Sequence, residues 1–161
     1  MELDRIIEVD ELYYYFAYGS NMNAERVTER GLTYTDVFAA TLDNAALRFN
    51  KQAVKDPTLA YANVIYAQQE SVEGVVYQLS DADQILKMDP FEGAPVRYSR
   101  EMFWLRTPGN KRVAAWVYIA NEAMLNDDLH PARWYLDHLL QGEPYLSSDY
   151  FQQLLKTPIA D

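Results

Sequence analysis

Apolar and polar positions along the chain change period several times, and each change marks an element. Leu12 to Tyr18 is a nearly unbroken aromatic run that stops on Gly19-Ser20-Asn21. Aromatic residues favour strands, and Gly, Ser and Asn favour turns or helix caps, so the stretch predicts a strand, a tight loop and a helix from about Met22. Asn23 to Arg30 reads as a short helix closed at Gly31. From Tyr34 to Asn50 a β-type pattern returns, with a bend or bulge at Asp43 and Asn44, and Lys51 to Pro57 reads as a polar loop. Leu59 to Ala67 and Val72 to Leu79 read as two strands of a hairpin joined by the polar turn Gln68-Gln69-Glu70-Ser71. A helix start at Ser80 to Asp83 follows, and Pro90 is expected to end that helix. Tyr98 to Arg106 and Arg112 to Ala120 predict paired strands around Thr107-Pro108-Gly109-Asn110, and Pro131 to Gln141 and Ser147 to Lys156 predict amphipathic helices. Met1 to Glu11 reads as a loose polar lead-in. The sum is about six or seven strands, mostly hairpin-linked, with three or four helices: an α+β pattern and not alternating β/α units.

Composition narrows the function classes. The 161 residues suit one domain, long enough to bury about two-thirds of the surface its unfolded chain exposes. Fourteen Lys and Arg against 24 Asp and Glu leave a formal net charge of −10, which disfavours nucleic acid or an anionic membrane as partner. There is no cysteine, so a disulfide scaffold, a thiolate nucleophile and a Cys-ligated zinc site are excluded. The two histidines, His130 and His138, have no third ligand nearby in the sequence, so they read as surface or partner contacts and not as a metal site. Met1 to Asp10 lacks a basic n-region and no apolar run is long enough for a span, so a cytoplasmic location is expected. Thirteen tyrosines at strand spacing read as barrel packing, and the core is the expected place for Trp104, Trp116 and Trp134.

Two stretches carry candidate chemistry. In the corner Tyr18-Gly19-Ser20-Asn21, Gly19 is expected to supply a conformation closed to other residues. Ser20 and Asn21 are expected to cap the helix, leaving its first amides free for a carboxylate or a polarised carbonyl oxygen. An ordinary capped turn below a buried aromatic strand accounts for the same four residues. The second stretch is Met88 to Arg100, where Glu92 stands between Phe91 and Gly93 and between two prolines. Held away from water, such a carboxyl has a raised pKa suited to taking a proton from an ammonium group. The other reading has Glu92 facing solvent at a helix end or pairing with Arg97 or Arg100, while Asp89 pins the Pro90 turn.

Phe16-Ala17-Tyr18-Gly19-Ser20-Asn21, then Val72-Glu73-Gly74-Val75-Val76-Tyr77, Asp89-Pro90-Phe91-Glu92-Gly93, Tyr98 with Arg100, and Pro131 to Tyr135 with Tyr150 follow in the order of one family. In these motifs the chain resembles the gamma-glutamylcyclotransferase family. The resemblance implies a compact mixed β-barrel flanked by helices and a cofactor-independent intramolecular aminolysis that releases 5-oxoproline from a gamma-glutamyl amine or peptide. It implies Glu92 as the acid/base residue. It also implies substrate contacts at Tyr15, Phe16, Ala17, Tyr18, Gly19, Ser20 and Asn21, joined by Tyr98 and Tyr135, with no metal. The expected partner is a small gamma-glutamyl molecule, and the assembly a monomer or homodimer. Met22 replaces a more usual Leu, a change that conserves volume. Pro90-Phe91 replaces a more polar pair, which bears on the leaving group accepted. Two further readings share the residues: a gamma-glutamylamine cyclotransferase or deprotecting enzyme, and a non-catalytic protein that binds a small anion on the same fold. Whether the corner amides meet the α-carboxylate or the developing oxyanion is open at this level.

Overall fold

Among the described residues, five strands close into a barrel in the order β1-β3-β2-β4-β5. The computed structural model describes residues 13–161, so the lead-in expected over Met1 to Glu11, and Leu12 of the first strand, lie outside the described residues. β1 (Tyr14–Ala17) is short and lies antiparallel to β3 (Ala60–Leu79), with Phe16 opposite Val76. β3 pairs along its length with β2 (Tyr34–Gln52), which meets β4 (Tyr98–Arg106) at Thr41 and Arg106. β4 forms a hairpin with β5 (Arg112–Ala120), and β5 closes the ring through a parallel contact between Trp116 and Tyr15. Each strand has a neighbour on both sides, with the β1–β5 and β2–β4 seams each closed at a single residue pair.

The expected count of six or seven strands is corrected to five among the described residues, because the polar stretch Gln68 to Ser71 does not reverse the chain. β3 continues through it. Asp43 pairs with Ser71 and Ala45 with Tyr66, so several β3 residues oppose Asn44 in a wide bulge. Asn44 and Gln69 both take positive φ there, 56° and 67°, and the Gln69 N–H donates to Asn44 Oδ1. Turn-forming residues thus bend a continuous ribbon. Another bulge, between Phe49 and Lys51, carries β2 to Gln52, so Lys51 belongs to the strand and not to the expected loop.

Among the described residues, four α-helices flank the barrel: α1 (Ala24–Glu29), α2 (Gln84–Glu92), α3 (Arg133–Leu140) and α4 (Ser148–Leu155). Val75, Val76, Tyr77, Leu105 and Val117 are fully buried between the strands, and Met88 of α2 and Leu136 and Leu139 of α3 cover them. Pro90 does not stop α2. Its ring lies on the exposed face, and the helix runs on to Glu92 before Gly93, at φ 62°, ends it. Trp104 and Trp134 are corrected from core to half-exposed, at 47% and 48%. The Arg112 guanidinium lies 4.3 Å from the centroid of the Trp104 ring. No helix among the described residues is long and apolar enough to cross a membrane.

Candidate active site

β1 ends at Ala17, and the chain then winds one tight turn over Ser20–Met22, closed by Met22 N–H on the Gly19 carbonyl (3.0 Å) and Asn23 N–H on that of Ser20 (3.2 Å). The first N–H groups of such a turn have no partner within it. Among the described residues, the amides of Gly19, Ser20 and Asn21 donate to no protein acceptor. The expected capping is corrected: Asn23 caps α1 by accepting the Glu25 N–H, and Asn21 turns inward. Asn21 is 4% exposed and donates to the Tyr15 hydroxyl (2.8 Å), accepts from Arg30 (3.1 Å), and takes the Tyr77 hydroxyl on its carbonyl (2.6 Å). These bonds hold the corner rigid from below. Gly19 has φ −113° and ψ −138°, and a Cβ there would stand 3.2 Å from both the Tyr135 hydroxyl and Ala62 Cβ, so these neighbours would have to give by a few tenths of an ångström.

The corner faces a cavity of about 110 Å³. Tyr15, Phe16, Tyr18, Gly19, Ser20 and Asn21 reach it from one side. Ala17 is not among its lining residues; its carbonyl packs against Gly74 of β3 instead. Tyr98 and Tyr135 line it from the other side, and both are tied to Ala62: the Tyr98 hydroxyl donates to its carbonyl (2.8 Å), and its N–H donates to the Tyr135 hydroxyl (2.9 Å). With hydroxyls so engaged, the two tyrosines act as fixed walls.

Glu92, the last residue of α2, reaches the same cavity about seventy positions after the corner. Its side chain is partly accessible, yet its carboxyl has no hydrogen bond or ion pair among the described residues. Burial pushes its pKa up to about 7, with Arg30, Lys51 and Arg26 pulling back and Asp89 pushing further. The carboxyl end of α2 adds to this, since the helix dipole there disfavours negative charge. Neither expected pairing forms among the described residues. Arg100 instead holds Asp89 in a two-point bond (2.8 and 3.1 Å), and Asp89 also accepts the Tyr118 hydroxyl (2.6 Å). Asp89 therefore clamps α2 to β4 and β5, in place of the expected role of pinning a turn.

Four cationic side chains line the cavity as well: Arg26, Arg30 and Lys51, which sequence reasoning missed, and Arg97, which it named only as a pairing partner of Glu92. Arg26 and Arg30 are four apart on and just beyond α1, a spacing that places them on one helix face and was legible in the sequence. Lys51 had no such signal. The bulge after Phe49 sets which way it points, and it is 2% exposed, its ammonium 5.5 and 5.4 Å from the ring centroids of Tyr61 and Tyr98. Burial, and then Arg97, lowers its pKa, while Glu92 opposes this. Arg26 Nε is buried without a partner among the described residues. A cavity so lined suits an anion, and the Glu92 carboxyl, with a pKa near neutrality, suits proton transfer.

The family model of gamma-glutamyl cyclotransferase, AIG2-like, matches residues 15–137. No curated protein is significantly similar in sequence. Among solved structures, one described as a gamma-glutamyl cyclotransferase is similar with a TM-score of 0.79 at 20% identity, over 92% of this chain and 89% of its own. A Homo sapiens protein described as uncharacterized gives 0.81 at 23% identity, over 94% and 91%. A yeast gamma-glutamyl cyclotransferase described as specific to glutathione gives 0.66 at 15% identity, over 89% and 94%. At these identities the likeness is one of fold.

Proposed function

Since this chain belongs to the gamma-glutamyl cyclotransferase, AIG2-like family, we propose that it converts a gamma-glutamyl amine or peptide into 5-oxoproline and the free amine by intramolecular aminolysis. The observation that supports this most directly is that a carboxyl with its pKa near 7 shares one cavity with three amide N–H groups that have no acceptor among the described residues. The substrate brings its own nucleophile. Its α-amine attacks the γ-carbonyl, the C–N bond to the leaving amine breaks, and a five-membered lactam remains.

Glu92 takes the proton that the α-ammonium must lose and returns it to the departing nitrogen, acting as base and then acid. A pKa near 7 leaves it partly ionised at neutrality and strong enough as an acid for the second step. The amides of Gly19, Ser20 and Asn21 serve the α-carboxylate or the carbonyl oxygen as it becomes negative. Tyr15, Tyr98 and Tyr135 hold the folded substrate conformer that brings the two reacting ends together.

Incubation with a panel of gamma-glutamyl amino acids and amines, with 5-oxoproline measured, tests the reading. Glu92→Gln is expected to lower kcat by about 10²–10⁴-fold while substrate still binds. Equal turnover in that variant removes Glu92 from the mechanism. Binding without turnover on every panel member would favour a non-catalytic small-anion-binding protein.

A further inference from the structure

Arg30, the residue that closes α1, sits in the cavity wall between two elements. On one side it donates to Asn21 Oδ1 (3.1 Å), which fastens it to the corner whose amides have no acceptor among the described residues. On the other its guanidinium lies 5.0 Å from the centroid of the Phe91 ring, and its Nη1 is 3.9 Å from the Met88 sulfur, which fastens it to α2. Asn21 reaches the same sulfur (3.4 Å). Phe91 immediately precedes Glu92, so the cluster ends one residue from the carboxyl.

Arg30 makes no ion pair among the described residues. A guanidinium bonded directly to a carboxylate holds it well below the usual range and leaves it too weak a base. Resting on a neutral amide and a ring face, Arg30 instead acts on Glu92 through space. Of the charges that oppose the burial of Glu92 it pulls hardest, ahead of Lys51 and Arg26, while Asp89 pushes the other way. The tyrosines that feel Glu92, namely Tyr15, Tyr18, Tyr98, Tyr118 and Tyr135, are kept neutral by burial and add no formal charge. Asp89 fixes α2 to β4 and β5, but the distance from Glu92 to the corner depends on contacts between α2 and the corner itself.

We propose that Arg30 is a positioning residue for the cyclisation, on which reading this inference rests: through Asn21 and Phe91 it ties the amide corner to the last turn of α2 and so sets where Glu92 stands relative to the corner. The reaction needs that relation fixed, because the base and the amide donors must meet two ends of one small substrate at once. Phe91, half of the pair that replaces a more polar one, supplies the ring face on which the guanidinium rests.

The test reads two quantities in Arg30→Met, Arg30→Lys and Phe91→Leu, each shown to be folded by urea unfolding. One is the titration midpoint of the Glu92 carboxyl by carbon-13 NMR, assigned by its loss in Glu92→Gln. The other is the plateau of kcat/KM against pH for 5-oxoproline release. Arg30→Met is expected to move the midpoint upward, since a charge that favoured the carboxylate is gone, and to lower the plateau by about 10- to 100-fold. Arg30→Lys keeps the charge without the planar fork, so the midpoint should return towards the native value while the plateau stays low. Phe91→Leu leaves every charge in place and should lower the plateau as well, and it decides alone if Arg30→Met does not fold. A role confined to stability moves neither quantity in the folded variants. An unmoved midpoint in Arg30→Met, or a native plateau in any of the three, overturns the proposal. Absence of turnover by the native protein on every gamma-glutamyl substrate removes the cyclisation reading and the positioning role with it, while the NMR midpoint, which needs no substrate, still shows whether Arg30 acts on Glu92.

Discussion

Replacing Glu92 by Gln should stabilise the protein, and by an amount that grows with pH. Folding takes the Glu92 carboxyl from an ordinary pKa of 4.5 to about 7. At pH 4 it is mostly protonated in both states, so the pH-dependent part of the difference is near zero. Between 4.5 and 7 the unfolded chain releases this proton while the folded chain keeps it. The folded state then binds more protons, and stability falls as pH rises; above about 7 the loss levels off. Each pKa unit is worth 1.36 kcal/mol, so the whole shift corresponds to about 3 kcal/mol, and cavity water reaching the side chain reduces this to about 2–3 kcal/mol. Gln fills nearly the same volume and does not ionise. Urea unfolding of both proteins from pH 4 to pH 9, taken as a difference so that every other titrating group cancels, measures the effect. A difference that stays flat, or native protein that gains on Glu92→Gln as pH rises, refutes a carboxyl desolvated by the cavity. In the proposed chemistry the same desolvation tunes the base, so the protein would be giving up stability for function.

The catalysed reaction, followed as kcat/KM against pH, should rise with an acid limb near pH 7 as Glu92 ionises, and the limb should vanish from the residual activity of Glu92→Gln. Asp89→Asn removes the partner of Arg100 and the negative charge that raises the Glu92 pKa, so it should cost about 1.5–3 kcal/mol in urea unfolding and move the acid limb to lower pH. A limb that moves upward contradicts the assignment. Gly74→Ala should destabilise by about 1–3 kcal/mol or more, because the new Cβ would stand 2.4 Å from the Ala17 carbonyl oxygen and 2.7 Å from the Phe16 ring. Since the backbone carbonyl cannot rotate away and the corner follows directly, 5-oxoproline release should fall with it. Neutral stability in this variant would argue against the β1–β3 register.

Local sequence preference was enough wherever an element depends on its own residues. The β4–β5 hairpin runs over Tyr98–Arg106 and Arg112–Ala120 as read, because Pro108 and Gly109-Asn110 suit only a turn, with φ of 84° and 60° at the last two. α4 begins behind Ser147, whose hydroxyl accepts the Tyr150 N–H, again as read. The same reasoning failed at Gln68 to Ser71 and at Pro90. A polar run can bend a ribbon as readily as reverse it, and a proline on the solvent face of a last helical turn costs little once Asp89 is clamped to Arg100 and Tyr118.

By itself, the sequence determined the α+β class, the aromatic strand running into Gly19-Ser20-Asn21, and the presence of a glutamate in a stretch suited to acid/base work. Only the tertiary structure decided that Glu92 shares a cavity with that corner and is partly withdrawn from water there, and that Lys51 turns inward after a one-residue bulge. Tertiary structure also closed Arg26, Arg30 and Arg97 around one cavity of an acidic protein. The physical reason is that type and periodicity act within a few residues. Desolvation and charge balance depend on which distant side chains are brought into contact, and barrel closure and bulges set that.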